Sequence, residues 1–228
     1  MFAGVLKLTA VILGMLSAAG GVGSVHGRVN DPASTGRSSV LRASSGEGNA
    51  CKVGSSATLH VANEKSPQII LACGARDGVG RYELVGFNAA AGYCFRVDVI
   101  APGNSEGGIC KPTSLPWSAF TNKLKINGVD AIEGNSYSYT ELDGEIPQVA
   151  SKVSIVVRTQ GHARRARATI AAVSGKLMKR LGQTEPFKLF TGVLPGCVPS
   201  SDLRIVAENA AGGVVGSVSG NQVRRYHC

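Results

Sequence analysis

Residues 153–173 read VSIVVRTQGHARRARATIAAV. Val153, Ile155 and Val157 recur at every second position, the spacing that lines up side chains on one face of an extended strand. Gln160-Gly161 interrupts the run, and glycine is the residue type that lets a chain reverse tightly. A further stretch able to extend follows, so the segment predicts a hairpin of strands 153–159 and 164–173 turning at 160–161. Its polar side chains are mostly one kind: Arg158, Arg164, Arg165 and Arg167, with His162 beside them.

The same period of two recurs along most of the chain beyond residue 50. Leu59 and Val61 alternate with Thr58 and His60, and Phe95, Val97 and Val99 alternate with Arg96 and Asp98. Tyr137 and Tyr139 alternate with Ser136, Ser138 and Thr140; Leu203, Ile205 and Ala207 alternate with Arg204, Val206 and Glu208. Turn formers mark the gaps at Asp77-Gly78, Pro102-Gly103-Asn104, Asn127-Gly128, Asp143-Gly144 and Gly212-Gly213. About ten to twelve short strands at this spacing predict an all-β protein of sandwich type. Glycine at 30 of 228 residues and aromatics at 5% fit many tight turns better than helices. Helical spacing occurs only near 176–181, through Leu177 and Leu181, and that segment equally fits a hairpin after Ser174-Gly175.

The N-terminus reads differently. Lys7 precedes the apolar run LTAVILGML at 8–16 and the small-residue stretch SAAGGVGSV, the order of parts in a secretory signal. Residues 1–27 are therefore expected to be a signal peptide, cleaved after Ala19 or Gly27, or else an anchor that holds the chain to a membrane by residues 8–25. Residues 28–50 are Ser, Gly and Arg with little aliphatic content, which predicts a flexible tether. The expected location is secreted or extracytoplasmic.

All six cysteines, Cys51, Cys73, Cys94, Cys110, Cys197 and Cys228, lie beyond the tether. An even number in an exported chain reads as disulfides, and spacing favours sequence neighbours: 51 with 73, 94 with 110, 197 with 228. No two cysteines stand two to four residues apart and no histidine falls at ligand spacing from another, so no metal and no cofactor are expected. The turn-rich GEIPQ at 144–148 divides the chain into an N-terminal β domain, 51–147, and a basic C-terminal β domain, 148–228. The first carries 8 Lys and Arg against 10 Asp and Glu, the second 12 against 3. The strands PFKLFTGVLP at 186–195 and DLRIVAENAAGGVVG at 202–216 give the second half a pattern that resembles immunoglobulin-like modules of bacterial surface proteins.

The segment ARRARA at 163–168 resembles the short basic consensus of heparin-binding proteins, which implies binding of a sulfated polymer. Guanidinium forks pair with sulfate, phosphate or carboxylate by two parallel hydrogen bonds. The residues expected to bind an anionic ligand are Arg158, Arg164, Arg165, Arg167, Lys179 and Arg180. The competing reading is a charged edge strand that blocks sheet-to-sheet aggregation.

Catalytic patterns fare poorly. GNSEGG at 103–108 and AAAGYC at 89–94 resemble the serine and histidine motifs of trypsin-like proteases, but Tyr93 stands where the general base belongs. Glu133, Glu141, Asp143 and Glu145 are expected to be solvated acids of strands and turns, and Trp117 is expected to pack on a disulfide. The sequence thus predicts a non-catalytic binding or structural protein whose partner is an anionic polymer or surface, or another exported protein met through a disulfide-closed loop at 103–116. No specific nucleic-acid recognition is expected. The alternatives are a secreted hydrolase with a dispersed acidic site and an inhibitor of an exported protein.

Overall fold

A computed structural model describes residues 51–60, 66–101, 104–134, 136–159 and 162–222, with the side chains of 104–108 excepted. The expected signal segment 1–27, the tether 28–50, Val61, the turn at 160–161 and Cys228 lie outside the described residues. Among those described, the chain forms twelve strands, one six-residue helix and three single 3-10 turns. The all-β expectation holds.

The first sheet is an antiparallel meander of β1 (Ile69–Arg76), β2 (Gly80–Ala89), β3 (Gly92–Val99) and β4 (Asn104–Lys111). A second sheet contains β5 (Lys125–Gly134), β6 (Tyr137–Glu145), β9 (Thr169–Val173) and β10 (Phe187–Pro195), in the order β5-β6-β10-β9. The third has β7 (Ala150–Thr159), β8 (His162–Arg167), β11 (Leu203–Asn209) and β12 (Val214–Ser219), in the order β12-β11-β7-β8. Helix α1 (Gly175–Arg180) connects β9 to β10, which settles the ambiguous 176–181 segment as helix.

Two hydrophobic cores share the second sheet. Leu84, Phe95, Val97 and Trp117 meet Tyr139, Ala171, Phe187, Leu189 and Val193 in one core. Leu142, Phe190 and Leu194 meet Val153, Ile155, Leu203 and Ile205 in the other. The second sheet is therefore the middle layer of three, buried on both faces. Gly192 on β10 illustrates how tightly the layers fit: a Cβ there would collide with the Ile155 side chain of β7, and a strand glycine commonly marks such close approach.

The ladder between β6 and β10 runs from Tyr139 opposite Pro195 to Glu145 opposite Leu189. Chain on either side of residue 148 thus shares the middle sheet. The resemblance of 148–228 to an immunoglobulin-like module finds no confirmation, because β9 and β10 belong to a sheet completed by β5 and β6 of the preceding half.

The outward face of the first sheet is covered too. The segment at 54–57 hydrogen-bonds along the start of β1, with Ala57 N donating to Gln68 O at 2.9 Å and Ile70 N to Ser55 O at 2.9 Å. A disulfide from Cys51 to Cys73 ties this segment to β1. The strand expected around Leu59 is not formed; residues 58–60 instead lie over β2 and β3, where Glu83 accepts from Thr58 N and Arg96 donates to Leu59 O.

Cys94 and Cys110 are directly opposite on β3 and β4 and are bonded. Most of the expected contact loop at 103–116 is consequently strand β4, because the disulfide joins register partners and encloses a hairpin. Trp117 packs against Phe95, Phe120 and Phe187 with centroids 5.1, 6.0 and 5.8 Å away, so aromatic rings of the core surround it. Disulfides of this kind belong to an oxidising, extracytoplasmic environment. Among the described residues no helix is long and apolar enough to cross a membrane.

Candidate anion-binding surface

Strand β7 pairs with β8 from Ser154 opposite Arg167 to Thr159 opposite His162, as the hairpin reading of 153–159 requires. The second strand departs from that reading. It was expected to continue to residue 173 in one sheet, yet β8 ends at Arg167 and β9 begins at Thr169 in the middle sheet. Ala168 is the corner: it is 4% exposed, and its N–H donates to Val153 O at 3.0 Å. The alternation does not change phase there. Ala166, Ala168 and Ile170 all point into the core between the middle and third sheets, so the chain curls over the open edge of that sandwich while keeping its apolar face inward.

Residues of the opposite parity must then point away from the core. On β8 these are Arg165 and Arg167, in register with Val156 and Ser154 of β7. On β11 the same face carries Arg204, opposite Val156, and Glu208, opposite Lys152. Val156 is 7% exposed although it lies on the outward face. Arg165 and Arg204 flank it in register, where their aliphatic stems can cover it while the guanidinium groups reach water.

The four strands of the third sheet contain Lys152, Arg158, Arg164, Arg165, Arg167 and Arg204 but a single carboxylate, Glu208. Lys152 Nζ lies 2.8 Å from Glu208 Oε2 and Arg165 Nη1 3.9 Å from Oε1. The hydrogen bond from Lys152 holds the Glu208 carboxyl below its ordinary range against an opposing desolvation, aided by the Lys152 and Arg165 charges. Arg158, Arg164 and Arg167 have no carboxylate partner among the described residues, and β8 is the edge strand of its sheet.

Lys179 and Arg180 belong elsewhere. They end α1, whose Leu177 and Met178 pack on the core between the first and middle sheets, and Arg180 donates to Gly54 O. The middle sheet separates that core from the one beneath the arginine hairpin, so the six residues expected to form one site form two groups.

One neighbour was missed. Arg76, at the end of β1, donates from Nε to Val193 O at 3.1 Å and from Nη2 to Arg167 O at 2.8 Å. Beside it, where the outward face of the curling strand passes under the first sheet, lies an open groove of about 430 Å3. Arg76, Arg167, Ser151, Thr169 and Tyr82 line it, together with Ala75, Ala168 and Ile170. The Tyr82 and Thr169 hydroxyls share a hydrogen bond of 2.8 Å. Gly74 permits that pairing, since a Cβ there would strike both the Tyr82 ring and Thr169 Oγ1.

The expectation that acids of β6 are solvated is corrected. Glu141, Asp143 and Glu145 are 3%, 6% and 1% exposed, because the middle sheet is covered on both faces. Only Glu133 of the expected four is exposed. Lys111 Nζ lies 3.0 Å from Glu145 Oε1, within ion-pair distance though not aligned as a hydrogen bond. The same ammonium sits over the Phe120 ring at 4.9 Å. Burial, with Asp130 and Glu145 nearby, pushes Asp143 up to about 8 against a smaller pull from Lys111.

Comparison with known proteins returns no match: no family model, no curated protein and no solved structure is similar to this chain.

Proposed function

We propose that the protein is a non-catalytic binding protein of the extracytoplasmic space that presents the outward face and edge of its third sheet to an anionic polymer or surface. The observation carrying this reading is the imbalance on four paired strands, six basic side chains against Glu208 alone. The β8 backbone sets Arg165 and Arg167 roughly 7 Å apart on the outward face and places Arg164, of the opposite parity, at the exposed edge, and guanidinium groups without carboxylate partners remain available for sulfate, phosphate or carboxylate oxygens. The disulfides support the location. Burial of Glu141, Asp143 and Glu145 supports binding over hydrolysis, since these carboxyls stand between layers and away from a solvent-borne substrate.

The test is fluorescence anisotropy of the full, disulfide-intact chain with labelled dextran sulfate and with uncharged dextran. Binding to the charged polymer alone, weakening as salt is added, is the expected result. Equal binding to both, or binding to neither at low salt, contradicts the reading.

A further inference from the structure

The groove beside Arg76 has properties that a merely basic surface lacks. Arg76 comes from the first sheet and Arg167 from the third, 91 residues apart in sequence, and the hydrogen bond from Arg76 Nη2 to the Arg167 carbonyl holds them together. Two main-chain acceptors orient the Arg76 guanidinium, while a guanidinium has five N–H donors in all. Part of its fork is thus free of those two bonds in a fixed orientation, and ordering cost that a flexible arginine would incur on binding is already met. The Arg167 side chain stands at the same groove, exposed and without a carboxylate partner among the described residues. No carboxylate lines the groove.

We infer that this groove seats one oxyanion group of an acidic polysaccharide, gripped between Arg76 and Arg167, with the adjoining sugar against Ser151 and Thr169, whose hydroxyls also bond to Glu208 O at 3.4 Å and to the Tyr82 hydroxyl at 2.8 Å. The inference rests on the anion-binding role proposed for the third sheet and names the class of polymer. A volume of about 430 Å3 accommodates a substituted saccharide unit. Sugar is favoured over single-stranded nucleic acid by the walls. Nucleic acid without sequence preference is held by bases stacked on accessible aromatic rings, whereas Tyr82, the aromatic residue of this groove, is 1% exposed and its hydroxyl is engaged by Thr169. Val53, Leu115, Val149 and Val214, the large exposed hydrophobics among the described residues, include no aromatic ring.

The test compares labelled dextran sulfate with labelled single-stranded DNA of equal charge, using the full, disulfide-intact chain at one fixed salt concentration. Wild type is expected to bind dextran sulfate more tightly. Arg76→Lys keeps the charge but loses the fork, and Ser151→Asp places a repelling carboxylate at the rim on an exposed residue. Each is expected to weaken dextran sulfate binding about tenfold and to reduce the preference over DNA. The double variant Arg158→Ser, Arg165→Ser leaves the groove intact and is expected to weaken both polymers. If Arg76→Lys melts below the assay temperature, Ser151→Asp decides. Unchanged dextran sulfate binding in the groove variants, beside weakened binding in the double variant, overturns the groove and leaves the surface reading standing. Tighter binding of DNA overturns the polysaccharide, and failure of wild type to bind either polymer overturns both.

Discussion

Glu83 on β2 and Asp98 on β3 stand directly opposite one another, both fully buried, on the outward face of the first sheet. Like charges in cross-strand register destabilise a sheet, so each carboxylate requires its own partners. Glu83 accepts from Thr58 N at 3.0 Å and from Thr58 Oγ1 at 2.6 Å, with Arg81 3.7 Å away. Asp98 accepts from Arg96 Nε at 2.7 Å and Nη2 at 3.0 Å. Arg96 also reaches Gln68 and Leu59 O, so it clamps the covering segment onto the sheet.

Replacing Arg96 with Met removes two charge-assisted hydrogen bonds from the buried Asp98 carboxylate. The expected loss is about 3–5 kcal/mol, the usual consequence of removing one partner of a buried pair. Equilibrium denaturation of the oxidised chain measures it. A loss below about 1 kcal/mol would mean that the Arg96 pair is not what sustains the buried Asp98 charge.

Asp143 predicts the sign of a pH dependence. Its folded pKa of about 8 stands above its ordinary 3.8, so the folded chain retains a proton that the unfolded chain releases. The stability tied to this group is fully present below about pH 4 and is lost as pH rises towards 8, on the order of 1 kcal/mol per pH unit. The charged groups around it include Asp130, Glu145 and Lys111. Asp143→Asn keeps the shape and removes the titration, so the variant should gain on wild type as pH rises through that window. Parallel stability curves from pH 4 to 8 would show that Asp143 ionises without penalty.

The Cys51–Cys73 bond closes a loop of 22 residues over Glu83 and Asp98. Replacing both cysteines with Ala is expected to cost about 2–4 kcal/mol. The amide of Thr58, which donates to Glu83, should then exchange with solvent faster than amides of the β7–β11 ladder. Equal acceleration of both would mean that the bond stabilises the whole chain uniformly and that the covering segment has no local opening.

Strands with one face in a core and one in water were legible, among them Leu203, Ile205 and Ala207 of β11, whose alternation matches their burial. Strands buried on both faces were not. In β6 the acids Glu141, Asp143 and Glu145 alternate with Thr140, Leu142 and Gly144 like the wet side of a strand, and only the presence of a third layer puts them indoors. The arginine hairpin was legible because β7 and β8 are sequence neighbours. Arg204 and Arg76 were not assigned to that surface, because β11 pairing with β7 and β1 meeting the Ala168 corner are long-range events that no local pattern encodes. Arg81 and Arg96, which look like ordinary polar positions of alternating strands, instead serve buried carboxylates.

That distinction decides the measurement that bears most directly on the anion-binding surface. Affinity for a polyanion is measured against salt for wild type, for Arg158→Ser, Arg164→Ser, Arg165→Ser combined, and for a control that removes three exposed lysines elsewhere, Lys52, Lys176 and Lys179. With DNA as the polyanion and about four phosphates neutralised, the slope of log affinity against log salt should be roughly −3 to −4. The arginine variant should flatten it by about two to three, while the lysine variant of equal net charge should leave it nearly unchanged. Equal flattening by the two would show that net charge alone draws the polymer, and would contradict a binding surface on the third sheet.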